Sequence, residues 1–190
     1  MAIDYKRCPV CGSKHTAAIL YGMPGPEILP EVESGKYVLG GCCIMINDPE
    51  YHCHECEHQW NRSEAINAAY GKIQGLNFST SGFWEGTFFV EMDFNTRKMK
   101  WGHIQGGDED VHHKRVQSKT VDKIIEHMKW LDVLNWRKEY SEPVMDGTTW
   151  ELELVRRGRN IYKYGSNGFP EEWDEFYDSM KKYTRKTSLK

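Results

Sequence analysis

The sequence lacks any apolar run near the roughly 18 residues that a membrane-spanning helix needs. A charged-then-apolar leader is also missing from its beginning. Secretion and membrane insertion therefore have no support, and the expected location is the cytoplasm. Because thiols stay reduced there, the six cysteines are predicted to be free or metal-bound and not joined in disulfides.

Strong positive charge is missing as well. The formal net charge is −3, and residues 76–190 carry nineteen Lys and Arg against nineteen Asp and Glu. This balance argues against a domain that binds nucleic acid through broad phosphate contacts. One local exception keeps nucleic acid as the alternative partner, because a predicted hairpin combines Arg156, Arg157 and Arg159 with Tyr162 and Tyr164.

Two common catalytic signatures do not occur. The sequence contains no phosphate-binding loop of the G-x-x-x-x-G-K-[ST] type and no G-x-S-x-G. Asp108, Glu109 and Asp110, followed by His112 and His113, have the residue types that a metal-dependent hydrolase uses. Neighbours in a loop rarely converge on one ion, so a solvated loop is the preferred interpretation and a hydrolase is the third-ranked function.

Paired cysteines are the strongest signal that is present. Cys8 and Cys11 form one C-x-x-C, and Cys53 and Cys56 form a second. Two such pairs supply the four thiolates of a tetrahedral structural zinc site, in which no coordination position stays open for chemistry. Gly12 follows the first pair, where a positive φ is often needed. The sequence therefore predicts a zinc ribbon with a structural Zn²⁺ as its cofactor.

Other potential ligands lie close by in the sequence. Cys42 and Cys43 have three interpretations: an alternative ligand, a redox pair, or small apolar side chains packed beside the metal. Packing is preferred, because the two C-x-x-C pairs already total four ligands. His52, His54 and His58 flank the second pair, and any of them is able to replace a thiolate, although supporting or solvated histidines are the preferred interpretation.

The predicted fold is α+β and has three parts. Residues 1–61 form the ribbon, 62–80 form a connecting helix and linker, and 81–190 form an α+β domain. In the ribbon, strands are expected at 15–21, at 36–46 and after His58. Ser63 is expected to cap the connecting helix, and Ser79–Gly82 are expected to be a seam between the modules.

The larger domain is predicted to contain two antiparallel hairpins and two helices in the order ββαββα. Period-two alternation favours hairpins around Asn95–Thr96 and around Gly158. Apolar residues at helical spacing favour a helix over residues 120–130. A final helix is expected from Pro170, with Trp173, Phe176, Tyr177 and Met180 as its buried stripe.

Two sets of motifs resemble proteins of unknown function from bacteria or phages. The first resembles their N-terminal CPxCGS-type zinc ribbon and consists of Cys8–Ser13, Tyr21–Pro24, Gly40–Cys42, Pro49, Tyr51, Cys53, Cys56 and Trp60. The second resembles a Trp-rich α+β domain and consists of Leu134–Trp136, Tyr140, Asp146–Trp150, Gly165–Pro170 and Trp173. Together they cover most of the chain, and Phe169 stands where tyrosine is expected. The resemblance implies a metal site and a fold but no activity.

These observations favour a non-enzymatic zinc-binding protein. Its expected role is that of a protein-interaction or regulatory module, of which an inhibitor is one version. A protein is the first-choice partner, nucleic acid is the alternative, and no membrane partner is expected.

Overall fold

The computed structural model describes residues 3–82, 84–143 and 147–184. These residues do not include Asp146, which belongs to the second set of motifs described above. They also do not include the end of the predicted 81–190 domain. The chain divides into two compact units, one of Ile3–Gly71 and one that begins at Lys72. None of the described helices is both long and apolar enough to cross a membrane.

The first unit is built on a small four-stranded sheet. Its strands are β1 (Thr16–Leu20), β2 (Tyr37–Leu39), β3 (Tyr51–Cys53) and β4 (Gln59–Trp60), in the order β2-β1-β3-β4. β1 pairs with β2 in parallel and with β3 antiparallel. The strand predicted over residues 36–46 ends at Leu39, because Gly41 has a φ of 95° that leaves the extended region.

Two helical segments complete this unit. A 3-10 turn at Pro26–Ile28 leads into α1 (Leu29–Glu33), and α2 spans Arg62–Tyr70. The cap of α2 is Asn61, whose side chain accepts a hydrogen bond from the Glu64 backbone N–H at 3.0 Å. The predicted cap, Ser63, instead lies inside the helix, which begins at Arg62. Asn and Ser are both favourable at the N-cap position, so either residue type is able to cap the helix.

The described residues of the second unit contain a seven-stranded sheet. Its strands are β5 (Ile73–Gly82), β6 (Gly86–Asp93), β7 (Lys98–Gln105), β8 (Asp108–Arg115), β9 (Glu139–Ser141), β10 (Thr149–Arg156) and β11 (Ile161–Ser166). Their order across the sheet is β8-β7-β6-β5-β10-β11-β9. All neighbours are antiparallel except β11 and β9.

The α+β class is confirmed, but the ββαββα order is incomplete. Both predicted hairpins exist as β6–β7 and β10–β11. β5 was missed because the glycines after α2 and the Ser79–Gly82 stretch resemble a linker. β8 was missed because its sequence is almost entirely polar, as suits an exposed edge strand, and it therefore shows no apolar alternation.

Two longer helices belong to the second unit. α3 spans Ser118–Trp130 and buries three of the four apolar residues whose spacing predicts this helix, Val121, Ile124 and Met128, while the fourth, Ile125, is half-buried. α4 spans Trp173–Thr184, so it begins three residues after Pro170. The backbone N–H of Trp173 donates to the Pro170 carbonyl in the turn that precedes the helix.

One face of the large sheet carries the core of this unit. The Phe78 ring of β5 meets the Phe176 ring of α4 at a centroid distance of 5.2 Å, and Phe176 meets Trp136 at the same distance. Leu152 and Lys163 point to this face, because they pair directly with each other and Leu152 pairs with Phe78. Because side chains alternate along a strand, the immediate neighbours of Leu152 and of Lys163 point to the opposite face.

Candidate metal centre

The two C-x-x-C motifs form equivalent turns in the first unit. In the first turn the Gly12 N–H donates to the Cys8 carbonyl at 3.0 Å, and in the second the Glu57 N–H donates to the Cys53 carbonyl at 2.9 Å. Gly12 has a φ of 75° and Glu57 a φ of 60°. Each turn thereby brings its two cysteine side chains to the same side of the chain.

The four predicted ligands come together. The Sγ atoms of Cys8, Cys11, Cys53 and Cys56 all lie within 4.8 Å of one another. The Cys8–Cys56 separation is 3.6 Å, and the Cys11–Cys53 separation is 3.5 Å. With zinc–sulfur bonds of about 2.3 Å, a tetrahedron has sulfur–sulfur edges of about 3.8 Å. The donor set and its spacing therefore fit a zinc-sized tetrahedral ion, and this group is able to hold a metal.

The cluster lies at the border of a small core. Cys8 and Cys53 are buried with Tyr51, Trp60 and Ala65, whereas Cys11 and Cys56 are exposed. The Trp60 indole donates to the Tyr5 carbonyl at 2.9 Å, which ties the chain before the first turn to β4. This core is small, so a metal at its border is well placed to stabilise it.

Packing the thiols together separates their pKa values. Burial raises the pKa of Cys8, but the N–H groups of Cys11 and Val10 lower it to about 7 overall. For Cys56 the His58 N–H has a lowering effect, yet burial and the other three thiols raise the pKa to about 12. The backbone of the first turn therefore points N–H donors at the Cys8 sulfur.

Two of the three flanking histidines make hydrogen bonds outside the cysteine cluster. His58 Nε2 is 2.6 Å from Glu64 Oε1, and His54 Nε2 is 2.9 Å from the Gly35 carbonyl oxygen. His52 Nδ1 is buried without a hydrogen-bond partner among the described residues. None of these histidines belongs to the four-sulfur group.

Cys42 and Cys43 are exposed, so the predicted packing beside the metal is wrong. Their Sγ atoms are 3.7 Å apart, and neither belongs to the four-sulfur group. They lie in the loop between β2 and β3, beyond the point where Gly41 ends the extended backbone. Small apolar residues in a loop are not covered when the loop itself is on the surface.

The acidic and histidine-containing stretch is a strand and not the predicted loop. β8 spans Asp108–Arg115, and alternation places Asp110 and His112 on one face of the sheet and Glu109 and His113 on the other. His112 Nε2 contacts Asp110 Oδ1 at 3.0 Å. In the described residues only the four cysteines form a group of three or more potential metal ligands.

A second candidate functional site lies on the large sheet and was not predicted from the sequence. On the sheet face opposite the core, register places four carboxylates beside three aromatic rings. We call this set the acidic–aromatic face, and it consists of Phe89, Glu91, Glu139, Glu151, Glu153, Tyr162 and Tyr164. Alternation along β10 alone predicts that Glu151 and Glu153 share one face. Only the pairing of β6, β5, β10, β11 and β9 brings the seven residues of this face together.

Hydrogen bonds order the side chains of this face. Tyr164 Oη donates to Glu139 Oε2 at 2.9 Å, and this bond raises the pKa of Tyr164. Hydrogen bonds from Tyr162 and Asn77 lower the pKa of Glu153, so its carboxylate is ionised at neutral pH. A depression of about 350 Å³ lies over Phe89, Glu151 and the two tyrosines.

Neither a scan against protein-family models nor a search of curated proteins gives a match to this chain. The resemblance described from the motifs therefore stays a prediction. The geometry of the chain itself supplies the argument for its function.

Proposed function

We propose that Cys8, Cys11, Cys53 and Cys56 bind one structural zinc ion. The sulfur separations near those of a tetrahedral zinc–thiolate site carry this part of the proposal. Four sulfurs fill the coordination sphere, so no position stays open for water or substrate. The binding free energy of the ion then becomes folding free energy of the first unit. Free thiols fit a reducing compartment, and we place the protein in the cytoplasm.

The second unit acts as a protein-interaction module without a catalytic role. The acidic–aromatic face carries this part of the proposal. Tyr162 is 56% exposed and Tyr164 is 37% exposed, although both are large rings. Tyrosines that are held in place by hydrogen bonds and surround a depression are the kind of anchors on which protein interfaces depend.

The chemistry of this face specifies a cationic partner surface. Glu151 and Glu153 point outward from one strand and Glu139 adds a carboxylate on the edge strand, whereas Glu91 is already ion-paired with Lys100 at 3.2 Å. A lysine or arginine of the partner is attracted by the carboxylates and is stabilised over the tyrosine rings by cation–π contacts. The partner is therefore expected to present a Lys- or Arg-rich segment. Covering such a segment would make the protein a regulator or an inhibitor of its partner.

The same charges disfavour nucleic acid. The Arg156 guanidinium donates to the Arg159 carbonyl at 2.9 Å, so part of its donor capacity is used within the turn. The exposed rings of Tyr162 and Tyr164 lie beside Glu153 and Glu139. A nucleic acid whose bases stacked on these rings would bring its phosphates close to the two carboxylates, and the like charges would repel each other.

A peptide titration tests the interaction. The probe is a fluorescent Lys- and Arg-rich peptide, and the comparison is an Asp- and Glu-rich peptide of equal length. Wild-type protein should bind the cationic peptide, and Glu151→Lys should weaken binding by about 1 kcal/mol or more, which is roughly fivefold. Glu109→Lys is the matched control, because it makes the same charge change on the same sheet face but at the edge strand.

Three results would contradict this account. Equal loss of binding in both variants would mean that net charge alone decides affinity. Concentration-dependent dimers that Glu151→Lys dissociates would make a second copy the occupant of the face. Tight, salt-sensitive binding to oligonucleotides that Ala at Arg156, Arg157 and Arg159 abolishes would make nucleic acid the partner.

A further inference from the structure

Two neighbouring thiols stand apart from the metal centre. Cys42 and Cys43 are both exposed, and their Sγ atoms are 3.7 Å apart. Neither is among the four cysteines whose sulfurs cluster. The pair is thus accessible to small oxidants, and its two sulfurs are already close enough to react with each other after a modest rotation of the side chains.

The backbone holds the start of this loop and leaves the cysteines outside. The Gly40 N–H donates to the Leu20 carbonyl, and the Gly22 N–H donates to the Gly41 carbonyl, both at 2.7 Å. After the cysteines come three apolar residues, Ile44, Met45 and Ile46, which are 72%, 74% and 93% exposed. Oxidation of the pair would therefore change a surface loop that displays apolar side chains.

We propose that Cys42 and Cys43 form a reversible redox-active pair that a hydroperoxide oxidises to an intramolecular disulfide. One thiolate attacks the terminal peroxide oxygen, the O–O bond breaks, and a sulfenic acid and one water or alcohol form. The second thiol then displaces the hydroxyl group from the sulfenic sulfur and releases water. The pair loses two protons and two electrons, and the hydroperoxide takes them up as it is reduced to water or to an alcohol and water.

Adjacency makes this disulfide easy to reverse. Neighbouring Cα atoms are about 3.8 Å apart across a trans peptide bond. Ordinary disulfides join Cα atoms about 4.4–6.8 Å apart, and bridges outside this range are strained and more easily reduced. Strained, exposed disulfides are the labile ones, so cellular dithiols should restore the pair. The reaction is expected to be a reversible modification and not a structural crosslink.

Peptide mapping after a limited oxidation tests the proposal. Purified full-length protein is treated with one equivalent of hydrogen peroxide, and its thiols are then alkylated under denaturing conditions with a chelator present. Alkylatable thiols should fall from the six of the sequence by two, and the unmodified pair should be Cys42 and Cys43. The protein should lose two hydrogens in mass without releasing metal, and a dithiol reductant should restore all thiols.

Single variants separate this chemistry from other oxidation. Cys42→Ser and Cys43→Ser should each leave one thiol that a sulfenic-acid probe labels, with no intramolecular disulfide. Oxidation that begins at Cys8, Cys11, Cys53 or Cys56 would overturn the proposal. Disulfide-linked dimers of the wild type, or a pair that stays fully alkylatable, would overturn it equally.

Discussion

Gly12 and Glu57 occupy equivalent positions in the two cysteine turns. Each lies four residues after the first cysteine of its pair and donates its backbone N–H to that cysteine's carbonyl oxygen. Each also has a positive φ, 75° for Gly12 and 60° for Glu57. Glycine adopts this conformation without steric cost, whereas a residue with a Cβ is strained by about 1–2 kcal/mol. One turn is therefore relaxed and the other is strained.

Substitutions at these two positions should have opposite effects on stability. Glu57→Gly should raise the free energy of unfolding by about 0.5–1 kcal/mol, because it removes the strain but also increases the freedom of the unfolded chain. Gly12→Ala should lower it by about 1 kcal/mol, since a Cβ at Gly12 meets nothing closer than the Arg7 side chain at 3.8 Å and only conformation is disturbed. Thermal unfolding of the metal-loaded protein measures both.

Glu57→Gln is the control for this comparison, because it removes the charge but keeps the Cβ. We expect its unfolding midpoint to stay at the wild-type value. A Glu57→Gln variant as stable as Glu57→Gly would mean that charge, and not backbone conformation, limits the second turn.

Lys163 provides a pH-dependent test of the second unit. It is 1% exposed, and its Nζ donates to the carbonyl oxygens of Leu134 and Trp136. Burial lowers its pKa from 10.5 to about 8. Between pH 8 and 10.5 the unfolded chain therefore binds more protons than the folded one, so this residue makes stability rise with pH.

The unfolding free energy of the wild type minus that of Lys163→Met should increase by about 3 kcal/mol between pH 7 and pH 10.5. The wild type therefore gains stability relative to the variant as the pH rises. Urea unfolding at a series of pH values measures it, and groups that titrate in both proteins cancel. Lys123→Met changes an exposed lysine on α3 and should show a constant difference. A constant difference for Lys163→Met as well would show that Lys163 titrates normally in the folded protein.

The position of β5 determines where the chain can be divided. β5 pairs with β6 on one side and with β10 on the other, and it buries Leu76 and Phe78. A fragment of residues 72–190 keeps this strand and should unfold cooperatively without metal. A fragment of residues 81–190, which begins at the domain boundary expected from the sequence, removes most of β5 and should show no cooperative transition.

Circular dichroism during thermal unfolding distinguishes the two fragments. Cooperative melting of both would mean that β5 is dispensable for the sheet. If neither fragment melts cooperatively, while the full chain does, then the two units do not fold independently.

The sequence predicted features that depend on local spacing. The cysteine pairs were identified because two residues between ligands form a tight turn, whatever the rest of the chain does. The β6–β7 and β10–β11 hairpins were identified because Asn95–Thr96 and Gly158 interrupt alternating strands. Asn61 was missed as a helix cap because Ser63, two residues away, has the same capping chemistry and sequence alone does not rank them.

Features that depend on distant pairing were not predictable in this way. Glu139 and Tyr164 are 25 residues apart, and only the parallel pairing of β9 with β11 brings them together. β8 has a polar residue at seven of its eight positions, because an edge strand is not required to bury an alternating apolar face. Periodicity therefore did not distinguish it from a solvated loop.

Metal content of the purified protein and of two cysteine variants tests the zinc assignment most directly. We expect one zinc ion per chain in the wild type, the same content in Cys42→Ser, and loss of both the ion and the folded first unit in Cys53→Ser. Loss of zinc in Cys42→Ser as readily as in Cys53→Ser would contradict the assignment of Cys8, Cys11, Cys53 and Cys56 as the four ligands.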